Sequence, residues 1–405
     1  MIIQKFGGTS LKSIARIKNV AGIIAGAARK ESVVVVVSAM GDTTDYLTKL
    51  ARQVSDSPNR RELDVLLATG EQISVALVAM ALGDLGIKAV SLTGAQLGIT
   101  TESIHTAARI VEIDTDRIRR SLNDGFVVVA AGFQGTTDQG EVTTLGRGGS
   151  DTTAVALAAA LGASACDIFT DVNGVYTADP NIVPTAKMLK EIAYEEMLEM
   201  ARVGAQVLHP RAVELARKHR IPLRVRNTFD PDHEGTVLKG ADEMEIGRAV
   251  SGVTVDRDQA RLVILKVPDR PGVAGEIFGA LAERGVNVDM IIQAFHGASV
   301  VNDITFTVKR SDLAAARAAL DQVAGNIGAE GVLADEDVAK VSIVGAGLMD
   351  QPDVAARMFS ALGQAGINIK MISTSEIRIS CVVSDQDAER AVRIVHDLFH
   401  LEEDA

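Results

Sequence analysis

Val33-Val-Val-Val-Val37-Ser-Ala-Met40 contains five β-branched residues in a row, with no alternation of polar and apolar positions. A run of that kind is a strand buried on both faces, as strands are in a parallel sheet covered by helices. On the N-terminal side, Ile2–Phe6 reads as a short strand and Leu11–Ala28 has helical periodicity. On the C-terminal side, Arg60–Leu82 is a long apolar-striped helix, and Ala89–Leu92 and Phe126–Ala131 are again buried-strand-like. Thr152–Leu161 is an alanine-rich helix, and Asp167–Thr170 and Pro222–Val225 are strands. Apolar strands separated by helices predict an α/β domain over residues 1–230 with a mostly parallel central sheet.

The character changes near residue 230. Asp230-Pro231, Gly235 and Gly240 mark a polar connector, 231–260. An internal repeat follows. Pro271, Val273, Ala274, Phe278, Ala280, Leu281, Gly285, Asn287 and Met290 recur in register as Pro352, Val354, Ala355, Phe359, Ala361, Leu362, Gly366, Asn368 and Met371. Two copies of one supersecondary unit predict two small α+β modules, 261–335 and 336–405, that pack on each other.

The 405 residues, 47% hydrophobic and 23% charged, fit two or three soluble globular domains. A net charge of −12, no Trp and three Tyr make nucleic acid a poor partner. No window is expected to reach the run of about 18 apolar residues that a membrane helix needs. Cys166 and Cys381 are far apart in apolar runs. That usage suits a reducing cytoplasm rather than a disulfide framework.

Four local features carry chemistry. Lys5-Phe-Gly-Gly-Thr-Ser10 lies between the first strand and the first helix, where backbone N–H groups and a lysine suit a phosphate. A tight strand-to-helix turn would read the same way. Thr144-Leu-Gly-Arg147-Gly148-Gly149-Ser150-Asp151 opens a later helix. Helix capping explains Ser150 and Asp151. It does not explain the Arg-Gly-Gly beside them, and an arginine can hold a carboxylate in two parallel hydrogen bonds. Glu71 lies on an apolar stripe between Leu67 and Val75, so it is either paired within the fold or functional. Thr170–Pro180 leaves the end of a buried strand, where open α/β sheets bind ligands.

Two further features read as structural. Val344-Gly345-Ala-Gly347-Leu-Met-Asp350 is a dinucleotide-like fingerprint with Asp350 at its third glycine position. His209 has no second histidine at metal-ligand spacing.

Taken together, these motifs resemble aspartate kinase of the amino-acid-kinase superfamily. The match spans the whole chain, with Val37-Ser-Ala-Met40, Ala68-Thr-Gly-Glu71 and Gly132-Phe-Gln-Gly135 in order between the motifs above. The resemblance implies ATP-dependent phosphorylation of the aspartate side chain to 4-phospho-L-aspartate, the first step of lysine, threonine and methionine biosynthesis, with ATP and Mg²⁺ as cofactors. Lys5 and Asp151 would be catalytic, with Asp151 orienting Lys5. Lys5, Phe6, Gly7, Gly8 and Thr9 would hold the ATP phosphates, with Ser38 and Ser150 near them. Thr170, Asp171, Tyr176, Asp179 and Asn181 would surround the nucleotide. Thr44, Glu71, Arg147, Gly148, Gly149 and Ser150 would bind aspartate, Arg147 its α-carboxylate and Glu71 its ammonium. No residue is assigned as a metal ligand.

The repeats resemble ACT domains of ferredoxin-like βαββαβ order, which bind free amino acids where two modules meet. The effector positions would be Asn287, Val288, Asp289 and Gln293 in the first copy. In the second they would be Val354, Ala355, Asn368, Ile369, Ser375 and Glu376. Lysine, threonine or both are the expected effectors. A homo-oligomer is expected, or an α2β2 assembly in which a regulatory subunit starts internally at Met244. One position departs from the pattern: many relatives carry lysine where this chain has Gln206.

Overall fold

A computed structural model describes residues 1–205, 207–244, 248–294, 301–348 and 351–403. Gln206 and Asp350 fall outside the described residues. The chain forms two compact units. One comprises Met1–Val175, Met188–Ala201 and Gln206–Glu245, and the other Tyr176–Lys187, Arg202–Ala205 and Ile246–Ala405.

The first unit is built on an eight-stranded sheet. Its spatial order is Glu191–Ala193, Thr236–Lys239, Leu223–Asn227, Ala165–Thr170, Ile2–Phe6, Val33–Val37, Val127–Ala131, Ala89–Leu92. Every neighbouring pair is parallel except Leu223–Asn227 with Thr236–Lys239. The valine run is an interior strand with all five residues buried, as its lack of alternation predicts. Side chains of a strand alternate between faces. Ile2, Phe6, Val33, Val35 and Val37 therefore share one face, where they pack with Ile17, Val20 and Ile24 of the helix Ile14–Ala28 and Val75, Val78 and Leu82 of the helix Arg60–Asp84. Lys5 points the other way, towards the helix Gly149–Leu161.

One expectation needs correction. The helix Arg60–Asp84 is, by length and composition, apolar enough to cross a membrane. Its apolar stripe is instead a packing surface for the sheet, and it carries Asp64 and Glu71 buried. A second sheet, of four strands with three or four residues each, was not foreseen. It runs Ile110–Ile113, Ile99–Thr101, Gln134–Thr136, Val142–Thr144.

The second unit contains the two repeats as four-stranded antiparallel sheets. The first sheet has the order Val288–Gln293, Val301–Val308, Ala260–Pro268, Gly331–Asp335, with helices Val273–Glu283 and Leu313–Ile327. The second has the order Gly252–Asp256, Ala339–Val344, Arg378–Val383, Met371–Ser375, with helices Asp353–Gln364 and Ala388–Leu398.

The range 231–260 is therefore more than a connector. Thr236–Lys239 belongs to the large sheet, and Gly252–Asp256 completes the sheet of the second repeat. Both strands are short and flanked by polar residues, which hid them. The glycine-rich turn at Gly345 also has a structural explanation. A Cβ there would stand 2.1 Å from the carbonyl oxygen of Ala249, so glycine permits a close approach of two backbones.

Candidate active site

Parallel strands align their carboxyl ends, and the turns that follow Phe6, Val37, Ala131 and Thr170 open on one edge of the sheet. Backbone hydrogen bonds tie these turns together. Gly7 donates to Phe169 O at 3.4 Å, Ser38 to Phe6 O at 3.1 Å, Gly41 to Gly8 O at 3.0 Å and Gly132 to Val37 O at 3.0 Å. Phe6 and Phe169 stack at 4.6 Å beneath the first turn.

Lys5 Nζ lies 2.6 Å from Asp151 Oδ1, and each side chain is 12% exposed. The pair joins the first strand to the first turn of Gly149–Leu161. Lys5 Nζ also lies against Gly7. The ammonium is thus fixed beside a loop of backbone N–H groups, an arrangement suited to a polyphosphate. Ser150 is buried in the same helical turn.

Glu71 is 2% exposed. Its Oε1 accepts a 2.9 Å hydrogen bond from Ala39 N, and Oε2 is buried with no hydrogen-bond partner. Burial pushes its pKa up to about 7, and backbone hydrogen bonds from Ala39 and its own N–H pull the other way. Among the described residues, no ion pair makes Glu71 purely structural. A buried carboxylate with one free oxygen is a receptor for a cation.

Arg147 is exposed and, among the described residues, pairs with no carboxylate. Gly148, beside it, has φ +68°, and a Cβ there would meet His209 at 2.1 Å. His209 caps the helix Pro210–His219 by accepting from Arg211 N. Arg211 in turn donates to Leu145 O at 2.7 Å and Ala108 O at 3.3 Å. The histidine read as structural thus braces the arginine loop. Gly148→Ala is expected to destabilise the protein by about 2–3 kcal/mol. Gly162→Ala, also at φ +68° but in open space, should lose about 1 kcal/mol. Urea melts of the two variants separate the His209 contact from backbone strain.

Asp64 was missed in the sequence. It is fully buried and accepts from Thr144 Oγ1 at 2.5 Å, Thr106 N at 2.9 Å and His105 Nδ1 at 2.9 Å. It holds the start of the arginine loop from below. The signal was present, since Asp64 precedes Glu71 by two helical turns on the same stripe. Asp167 was also missed. It is buried in its strand and paired with Arg224 at 2.5 Å and Arg226 at 3.2 Å.

Thr44 lies in the helix Thr43–Val54, Thr9 is exposed in the turn after Gly8, and Thr170 and Asp171 lie at the end of their strand. Thr170 Oγ1 donates to the exposed Asp171 carboxylate at 3.2 Å. Tyr176, Asp179 and Asn181 fall in the second unit, where Asp179 Oδ1 accepts from Asn181 N at 2.9 Å.

In the repeats, Asn287, Gln293, Asn368, Ser375 and Glu376 are exposed, and Val288, Ala355 and Ile369 are half-buried. Asp289 and Lys370 occupy equivalent repeat positions. Asp289 pairs with the buried Lys340 of the second repeat, which lowers its pKa against the effect of burial. Lys370 reaches Asp335 of the first repeat at 3.0 Å. Val354 differs from the expectation of a ligand contact. Its side chain is in the core of the second repeat, and its N–H points to Gln351 O at 3.3 Å.

Comparison with known proteins agrees with this geometry. Residues 1–227 match the amino acid kinase family, and 261–325 and 341–399 each match an ACT domain. An aspartokinase of Thermus thermophilus is 50% identical over 404 residues, spanning 99% of both chains. The structure of E. coli aspartokinase III with aspartate and ADP superposes with a TM-score of 0.81 at 27% identity, covering 99% of this chain and 100% of that one. The same enzyme with lysine and aspartate gives 0.76 at 27% identity, with coverage of 98% and 99%.

Proposed function

The chain belongs to the amino acid kinase family and is an aspartate kinase, and from that premise we propose that it converts the side-chain carboxylate of L-aspartate to 4-phospho-L-aspartate under feedback control by lysine, threonine or both. The observation that carries the substrate assignment is Glu71. Its unpartnered buried oxygen suits the ammonium of an amino acid. Arg147, with no carboxylate of its own, suits the α-carboxylate. Gripped at both groups, aspartate presents its remaining carboxylate to the phosphate loop. Thr44, Gly148, Gly149 and Ser150 would line the same pocket.

That carboxylate has a pKa of about 3.9 and is already ionised at neutral pH. The reaction therefore needs no general base from the protein. A carboxylate oxygen bonds to the γ-phosphorus of ATP while the bond from that phosphorus to the β,γ-bridging oxygen breaks, and the electron pair leaves with ADP. The difficulty is holding two anions in line, so the protein contributes positioning and charge. Lys5, fixed by Asp151, supplies positive charge where it builds up. Gly7, Gly8 and Thr9 supply backbone donors. Phe6 and Ser38 support that loop, and Thr170, Asp171, Tyr176, Asp179 and Asn181 would contact the nucleotide.

A hard cation carried on nucleotide phosphates needs few protein oxygens. Exposed Asp171, at the carboxyl end of its strand, would hold Mg²⁺. When bound, Mg²⁺ would add neutralisation of the phosphates.

A relative crystallised with lysine and aspartate supports an amino-acid effector, and the two ACT-like repeats are the proposed sensor. Regulation of this kind requires an effector that favours one of two conformations. We also place the enzyme at the first step of lysine, threonine and methionine synthesis, in a reducing cytoplasm that suits two buried free cysteines. An assembly of several chains, with or without a regulatory subunit begun at Met244, belongs to the same proposal.

The test is hydroxylamine trapping of acyl phosphate by purified protein with Mg-ATP and L-aspartate. Aspartyl hydroxamate should form, and it should fall when lysine and threonine are added. Product from another acidic amino acid but not aspartate would remove the substrate assignment. Product that ignores both effectors would remove the feedback assignment.

A further inference from the structure

We propose that the C-terminal end of the helix Ala388–Leu398 and the turn after it form a binding site for a divalent transition ion, with His396 Nδ1, Asp397 Oδ1 and Glu402 Oε2 as ligands. His396 Nδ1 lies 3.8 Å from Asp397 Oδ1 and 4.0 Å from Glu402 Oε2. The three atoms lie within 4.8 Å of one another.

Three observations separate this cluster from chance surface acidity. First, His396 is fully buried and, among the described residues, its Nδ1 has no hydrogen-bond partner, nor does the buried Glu402 Oε2 that faces it. Two buried polar atoms are left unsatisfied around one point, which natural folds rarely tolerate.

Second, the ring is already oriented as a ligand. Nε2 is 3.0 Å from Thr177 Oγ1, and metal-binding histidines characteristically anchor the opposite ring nitrogen in this way. With the proton on Nε2, the Nδ1 lone pair is directed at the carboxylates.

Third, the charges suit a dication. Two carboxylates balance it, and the carbonyl end of the helix adds negative potential.

Ligand atoms around a four-coordinate ion with bonds of about 2.0–2.1 Å stand roughly 3.3 Å apart. The observed 3.8–4.0 Å needs only small rotations. Asp397 and Glu402 are 72% and 37% exposed and free to make them. One imidazole with two carboxylates selects Zn²⁺, Co²⁺ or Mn²⁺ over Mg²⁺, which prefers an all-oxygen shell. The site lies within the second unit, where it would clamp the C-terminal turn to the segment Tyr176–Lys187 through Thr177.

The test is titration of tag-free, full-length apoprotein with Co²⁺, without nucleotide and with excess Mg²⁺, following the visible d–d absorption. One Co²⁺ per chain should bind and Zn²⁺ should displace it. Asp397→Asn and Glu402→Gln should each weaken binding at least tenfold and leave aspartate kinase activity without effector unchanged. His396→Gln should abolish the band. Absence of the band in the wild type, or equal binding by wild type and all three variants, overturns the proposal. In the latter case the ion is elsewhere.

Discussion

Replacing Glu71 by Gln is expected to make the protein more stable at pH 8 while making it a worse enzyme. Glu71 is pushed from 4.5 to about 7 chiefly by burial. An acid whose pKa is raised on folding binds more protons folded than unfolded. Its contribution to stability therefore falls as pH rises from about 4.5 to about 7 and stays low above that. The full shift corresponds to about 3 kcal/mol. The glutamine variant escapes that loss but buries an amide, so a net gain of about 1–3 kcal/mol is expected. The aspartate KM should rise at least tenfold, because the substrate ammonium loses its counter-ion. In the wild type, aspartate should bind more tightly as pH rises through 7, and that dependence should vanish in the variant. Thermal melts and aspartate KM, both measured from pH 5 to 9, check the two halves together. A variant no more stable than wild type at pH 8 would show that the carboxylate is not buried as an anion.

Lys5→Ala should reduce kcat about 10²–10³-fold, the scale of removing one fixed charge from a transition state. The fold should survive, because Lys5 is one side chain at the end of a strand whose other residues pack without it. Asp151, left unpaired at 12% exposure, should reduce stability modestly. Lys5→Arg should recover little, since a planar guanidinium does not replace a compact ammonium against Gly7. Single-turnover phosphoryl transfer and far-UV circular dichroism make the comparison. Near-wild-type turnover by Lys5→Ala would remove the lysine from the mechanism.

The interior strands of the large sheet, such as Val33–Val37 and Val127–Ala131, were legible because they are buried on both faces and so written in apolar residues, whereas Glu191–Ala193 and Thr236–Lys239 at its edge were not. Ile2–Phe6, Val33–Val37 and Ala89–Leu92 have the bounds read from sequence. The site was legible where chemistry and geometry conflict, as at Glu71 and Arg147-Gly-Gly, and the comparisons bear out the family resemblance read from the motifs. The four-stranded second sheet was illegible because three residues carry no periodicity. Asp64 was passed over because a carboxylate on a helix is ordinarily solvated. Its partners, Thr106, His105 and Thr144, lie 41 to 80 residues away. Tyr176, Asp179 and Asn181 read as continuous with Thr170 and Asp171, and only three-dimensional packing assigns them to the other unit.

The strand Gly252–Asp256 pairs along its length with Ala339–Val344, so the second repeat is closed by chain that precedes the first. On a ribosome, translating at about 5–20 residues per second, the first repeat is complete once residue 335 has emerged. The strand that precedes it must wait, unpaired, until Ala339–Val344 is made. Its partner arrives about 4–17 s after it, by the same elongation rate. An unpaired edge is an invitation to other nascent chains. Neighbouring polysomal copies could therefore exchange this strand, and the architecture that joins the repeats within one molecule is also a route to joining two molecules.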